Sequence, residues 1–132
     1  MTAGYLLDTN HVGHAVTPGS VVSKRIAELR AGGTKIGMCV PVLCEIEAGL
    51  QQVSRPDAYR LNLEHLLRQV RVWPVDPSTA RINGVLHHDL KRRGRVLSQV
   101  DIMLAALARQ MNLTLVTTDE DFAALADLPR EN

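Results

Sequence analysis

Apolar positions along the chain fall into short runs separated by stretches of helical spacing. The first run, Tyr5-Leu6-Leu7, is too short for a helix and ends in Asp8-Thr9-Asn10, which reads as a buried strand entering a loop. Thr17 and Pro18 precede Val21, Val22, Ile26 and Leu29 at helical spacing, and Gly32-Gly33 stops that helix. Lys35 to Cys39 reads as a second strand. Pro41 opens a helix with Val42, Leu43, Ile46 and Leu50 on its apolar stripe, and Ser54 and Pro56 start another that runs to about Gln69, with Leu61, Leu66 and Leu67 facing inward. Val70 to Trp73 forms a third strand. Asp76-Pro77 supplies an N-cap and a proline at the first helical position, and that helix ends at Gly94. Ser98 begins the next one, in which Val100, Leu104, Leu107, Ala108 and Met111 are spaced for burial. Leu113 to Thr117 is a fourth strand, and 122–126 forms a last short helix.

Strands that alternate with helices imply a parallel sheet covered on both faces, a three-layer α/β/α arrangement. The 132 residues show no repeat, linker or low-complexity tract, so the whole chain, 1–132, reads as one domain. Sheets of this kind bind their ligands beyond the carboxyl ends of the strands, near a change of strand order. Asp8 directly follows the first strand and Asp119 closely follows the fourth, so both carboxylates emerge at one edge.

Composition narrows the function. Fifteen Lys and Arg against 14 Asp and Glu give a net charge of +1, which excludes an acidic disordered tail and a strongly basic architectural DNA binder. Only four residues are aromatic (Tyr5, Tyr59, Trp73, Phe122), too few for a single-strand binder built on stacking platforms. Cys39 and Cys44 fit neither a redox pair nor a zinc site and read as reduced core thiols of a cytoplasmic protein. No run approaches the length of a membrane span.

Four acids carry the candidate chemistry. Singly, each has an ordinary explanation: Asp8 closing a strand, Glu45 on a solvated helix face, Asp101 three residues after Ser98 as in a capping box, and Asp119 capping the last helix. Jointly they do not. Asp101 lies between Val100 and Ile102, and Glu45 between Cys44 and Ile46, where an unpaired carboxylate is costly. Clustered carboxylates repel one another, and a divalent cation such as Mg²⁺ or Mn²⁺ relieves that repulsion with oxygen ligands. No nucleophile motif or Gly-rich phosphate loop is present, which leaves a metal-assisted hydrolase. Asn10 and His11 follow Asp8 closely enough to touch a scissile phosphate, yet read first as a loop cap and a solvated side chain, and His11 with His14 lacks the third partner a metal site needs.

LLDTN at 6–10, VLCEIEAGL at 42–50, LKRRGRVLSQVDIMLAALAR at 90–109 and LVTTDEDF at 115–122 together resemble a PIN domain. Their order and spacing are similar to the VapC-type toxins of bacterial toxin–antitoxin pairs. The resemblance implies that Asp8, Glu45, Asp101 and Asp119 form an acidic quartet that is both catalytic and metal-holding, with Thr117 as the supporting hydroxyl. It implies an endoribonuclease dependent on Mg²⁺ or Mn²⁺, an antitoxin partner of VapB type, and pairing of copies through the apolar helices. PIN domains usually end in a fifth strand, whereas only five residues follow Asp127 here, so that strand is very short or absent. Arg81, Lys91, Arg92, Arg93 and Arg95 make the region before Asp101 basic, either as a solvated helix end or as a surface that tracks RNA phosphates. With the quartet set aside, ten acids remain, and the rest of the molecule carries an excess of five positive charges. The alternatives are a non-catalytic PIN-like scaffold that binds protein or RNA, and a phosphatase or small-nucleotide hydrolase.

Overall fold

The computed structural model describes residues 2–125 and 127–132. Its elements run β1 (Tyr5–Leu7), α1 (Thr9–Val16), α2 (Val21–Ala31), β2 (Ile36–Cys39), α3 (Val40–Leu50), α4 (Pro56–Leu67), β3 (Arg71–Trp73), α5 (Pro77–Arg92), α6 (Gln99–Met111), β4 (Thr114–Val116), a single 3-10 turn (Glu120–Ala124) and β5 (Arg130–Glu131). All five strands are parallel, in the order β3-β2-β1-β4-β5. Leu6 and Leu7 are both buried, as are Met38 and Cys39. Successive strand residues point to opposite faces, so both faces of the sheet are covered and the three-layer expectation holds.

The fifth strand exists and is two residues long. Leu115 N–H donates to Pro129 O and Thr117 N–H to Glu131 O, both within 2.9 Å. Both edge strands are short and carry charge (Arg71 in β3, Arg130 and Glu131 in β5), which discourages pairing with another sheet.

Helix α1 departs from the loop expected at Asp8-Thr9-Asn10. Thr9, β-branched Val12 and Gly13 are weak helix formers, so propensity gives little warning. What forms the helix is Asp8 at the N-cap, whose side chain accepts from the His11 N–H, and the burial of Val12, Ala15 and Val16. The short final helix begins earlier than expected, at Glu120, and Ala126 of the expected 122–126 lies outside the described residues.

Helix α6 is the most buried helix: Leu104 through Ala108 are all buried. It pairs with α5, and the pair is tied at one end by the Asp76 cap. Asp76 accepts from Thr79 N–H at 2.9 Å and from the Gln110 side chain at 3.2 Å, which with the Thr79 hydroxyl holds its carboxyl below the usual range. Three positions expected inside are not. Leu61 on α4 is 67% exposed, Met111 is exposed at the end of α6, and Cys44 is exposed on α3 rather than a core thiol. Cys39 is buried, and burial pushes its thiol up to about 11. No helix among the described residues is long and apolar enough to cross a membrane.

Candidate active site

The strand order reverses at β1: β2 and β3 extend the sheet on one side, β4 and β5 on the other. Ligand sites open at such a switch point, beyond the carboxyl ends of the strands. β1 pairs with β4 in the register Leu7↔Val116. One residue further along each strand, that register sets Asp8 beside Thr117. The Thr117 hydroxyl donates to Asp8 Oδ2 at 2.6 Å and accepts from the Asp119 N–H at 3.0 Å. Thr117 therefore joins two acids that lie 111 positions apart in the chain.

Glu45 arrives from α3, the helix that follows β2 on the other side of β1. It is exposed, and the Thr9 hydroxyl donates to its Oε1 at 2.5 Å. Asp101 arrives from the first turn of α6, where the Ser98 hydroxyl accepts its N–H at 3.1 Å. Burial pushes the Asp101 carboxyl above the ordinary range; the hydrogen bond with Ser98 opposes the rise, and the charges of Asp119, Glu45 and Asp8 add to it. The fold has thus brought Asp8, Glu45 and Asp119 within electrostatic reach of Asp101. Glu47, two residues from Glu45, points away and forms a bidentate pair with Arg60 of α4 at 2.6 and 2.7 Å.

The ordinary readings of these acids also hold. Asp8 caps α1, Asp119 caps the final turn by accepting from Asp121 N–H, and Asp101 sits at the start of α6. The N-termini of two α-helices, α1 and α6, lie at the site. Their partial positive charge favours carboxylates and also anionic ligands, so capping and site formation use the same residues.

Two residues at the site lie outside the quartet and its supporting threonine. His11 is buried rather than solvated, and its Nδ1 lies 2.8 Å from Asp8 Oδ1. Thr9, which engages Glu45, lies in the stretch that reads as loop. The signal for His11 is the cap itself, since a residue three positions after an N-cap carboxylate is brought back to it. Asn10 and His14 are exposed, as are His87 and His88.

In the basic stretch, Arg92 and Arg93 both pair with Asp89 at 3.0 Å, and Arg93 also donates to Ala124 O. Lys91 and Arg95 are exposed and have no ion-pair partner among the described residues.

The groups that could serve as donors here are all oxygen: four carboxylates, with threonine hydroxyls behind Asp8 and Glu45. That chemistry suits Mg²⁺ or Mn²⁺. Among the described residues, no three His, Cys, Asp or Glu side chains form a ready-made cage. Mg²⁺ is commonly held by only one or two carboxylates, its remaining sites going to water and substrate phosphate.

This fold and acidic edge define a PIN domain protein, and the chain belongs to that family, whose model matches residues 5–128. More narrowly, it is homologous to the VapC ribonucleases of toxin–antitoxin systems. It is 25% identical to ribonuclease VapC2 of Rickettsia felis over 97% of this chain and 96% of that one. It is 31% identical to ribonuclease VapC5 of Mycobacterium tuberculosis over 69% of each. The Rickettsia felis VapBC2 structure, bound to a promoter DNA fragment, contains a chain with the same fold, at TM-score 0.86, 23% identity and 97% coverage of both chains.

Proposed function

We propose that the chain is a Mg²⁺- or Mn²⁺-dependent endoribonuclease that acts as the toxin of a VapBC-type pair. The observation that carries this reading is the gathering of Asp8, Glu45 and Asp119 within electrostatic reach of Asp101 at the switch point of the sheet, with Thr117 hydrogen-bonded to both Asp8 and Asp119. In this reading the four carboxylates hold the ion, directly or through water, and Thr117 keeps Asp8 and Asp119 in register. One carboxylate would orient the attacking water and take its proton as the water oxygen bonds to phosphorus, while the phosphorus–oxygen bond to the leaving group breaks with its electron pair passing to the leaving oxygen. When bound, the ion supplies Lewis acidity and positive charge to the phosphate oxygens. The N-termini of α1 and α6 add fixed partial positive charge that needs no reorganisation during the reaction.

The test is cleavage of RNA by the purified chain in EDTA and with Mn²⁺ restored, beside single-stranded DNA and nucleotides. Cleavage of RNA that EDTA stops and Mn²⁺ restores is the expected result. Cleavage unaffected by EDTA sinks the metal assignment, and Mn²⁺ uptake absent by calorimetry together with no cleavage favours the scaffold.

Arg95, with Lys91 and the partly neutralised Arg92 and Arg93, is assigned to RNA phosphates. Arg95→Ala is expected to flatten the salt dependence of RNA binding by about 0.7 in log–log slope, because one phosphate fewer is neutralised. Fluorescence anisotropy over a KCl series measures this, and an unchanged slope makes the run a solvated helix end.

The antitoxin partner rests on apolar surface left uncovered. Val21 of α2 is 85% exposed and Leu61 of α4 67%. Beside Val21 a cleft of about 250 Å³ opens between α2 and the sheet, floored by Leu7, Ile26 and Val116. The cleft beside Val21 gives a partner segment apolar surface to bury, and the same helices would serve a dimer-based complex.

A further inference from the structure

We infer that His11 is a positioning residue of the acidic site: its Nδ1–H fixes the rotation of the Asp8 carboxylate and so sets the affinity of the site for a divalent cation. The inference rests on the metal-dependent reading above and concerns a residue outside the quartet.

Asp8 is the most enclosed of the four acids, at 6% exposure. Its Oδ1 accepts two hydrogen bonds from one residue, the His11 main-chain N–H and the His11 ring, both at 2.8 Å. Its Oδ2 accepts one, from Thr117 at 2.6 Å. An ionised carboxylate only accepts, so the proton of the ring–carboxylate bond sits on Nδ1. A carboxylate offers about four lone-pair positions. Three are taken, and the one left over is on Oδ2, so the clamp leaves a single oxygen free to face an ion.

Capping does not require the ring. The N-cap is satisfied by the main-chain N–H alone, and the imidazole bond is additional. The ring is also buried, at 9% exposure against 6% for Asp8, so the bond between them is largely shielded from water. Packing alone at such a place is better met by an apolar side chain, because a buried polar ring without a partner is penalised. The partner it has is the Asp8 carboxylate. Groups that hold a metal-ligating carboxylate from behind typically change metal affinity or activity by about 10–100-fold when removed.

Two substitutions separate hydrogen bonding from bulk. The side-chain amide of His11→Asn stands near the Nδ1 position and keeps the donor. That of His11→Gln reaches toward the Nε2 position and does not. Mn²⁺ is titrated calorimetrically into the full chain and both variants, with melting curves in EDTA alongside. The expected result is Mn²⁺ affinity about 10–100-fold weaker in His11→Gln and within a few-fold of the parent in His11→Asn. RNA cleavage should fall in kcat rather than rise in KM. Parent-like Mn²⁺ affinity in His11→Gln overturns the inference, as does equal weakening in both variants. A parent protein that takes up no Mn²⁺ overturns the metal reading itself, a result distinct from either.

Discussion

Asp101→Asn is expected to abolish RNA cleavage while raising the melting temperature of the metal-free protein. The loss follows from removing one of the four carboxylates proposed to hold the ion, and should reach at least about 100-fold. The gain follows from what holds Asp101 in place. Burial raises its carboxyl, and Asp119, Glu45 and Asp8 raise it further, so its charged form is disfavoured in the fold. The start of α6 favours negative charge by only about 0.3–1 kcal/mol at exposed sites, and the net shift is upward. Between the ordinary carboxylate pKa and this raised value the folded protein holds the proton more tightly than the unfolded chain. Stability therefore falls as pH rises through that window, and the cost is fully present above it.

An asparagine carries no charge and avoids that cost, so the variant should melt a few degrees higher at neutral pH in EDTA. Added Mn²⁺ should raise the melting temperature of the parent and narrow the difference. Melting curves from pH 4 to 8, with EDTA and with Mn²⁺, test the two halves separately from activity. A variant that melts below its parent in EDTA at neutral pH contradicts the repulsion, and one that cleaves RNA normally contradicts the site.

The second large effect concerns the sheet. Gly37 lies in β2, paired on one side with Leu6 and on the other with Arg71. A Cβ at Gly37 would overlap the carbonyl oxygen of Arg71 and approach the rest of its main chain. These are backbone atoms of the β2–β3 ladder, so nothing flexible can give way. Overpacking in a well-packed region typically costs about 1–3 kcal/mol, and a backbone clash belongs at or above the top of that range. Against a total stability of about 5–15 kcal/mol, Gly37→Ala should lower the melting temperature by on the order of 10 °C. Gly84→Ala is the control. That residue lies within α5 with nothing near its Cβ direction, and alanine there should stabilise by about 0.5–1 kcal/mol. Urea denaturation followed by circular dichroism measures both, and equal stability of the two variants contradicts the close β2–β3 approach.

Much of the fold was legible because its signals are local. Apolar runs bounded by turn residues marked β1 to β4, and Asp76-Pro77 and Ser98 marked the starts of α5 and α6. Helix α1 was not legible, because its helix formers are weak and its stability comes from the Asp8 cap and from burial of Val12, Ala15 and Val16. Leu61 and Met111 match an inward stripe by spacing yet lie exposed, because periodicity marks a helix face and not what covers it.

For the site, the residue types and their order along the chain determined that four acids sit at or just beyond the carboxyl ends of strands or in apolar helices. That was enough for a resemblance to emerge and for Asp8, Glu45, Asp101, Asp119 and Thr117 to be singled out. The tertiary structure alone decided which groups hold those acids. The β1–β4 register sets Thr117 against Asp8, the first turn of α1 brings the His11 ring back to the same carboxylate, and α3 places Glu45 at the Thr9 hydroxyl. It also decided that Arg92 and Arg93 lean on Asp89 while Arg95 forms no ion pair among the described residues. The physical reason is range. Hydrophobic period and capping act over a few residues and can be read along the chain, whereas hydrogen bonds and charge coupling act through space between residues that only the closed sheet makes neighbours.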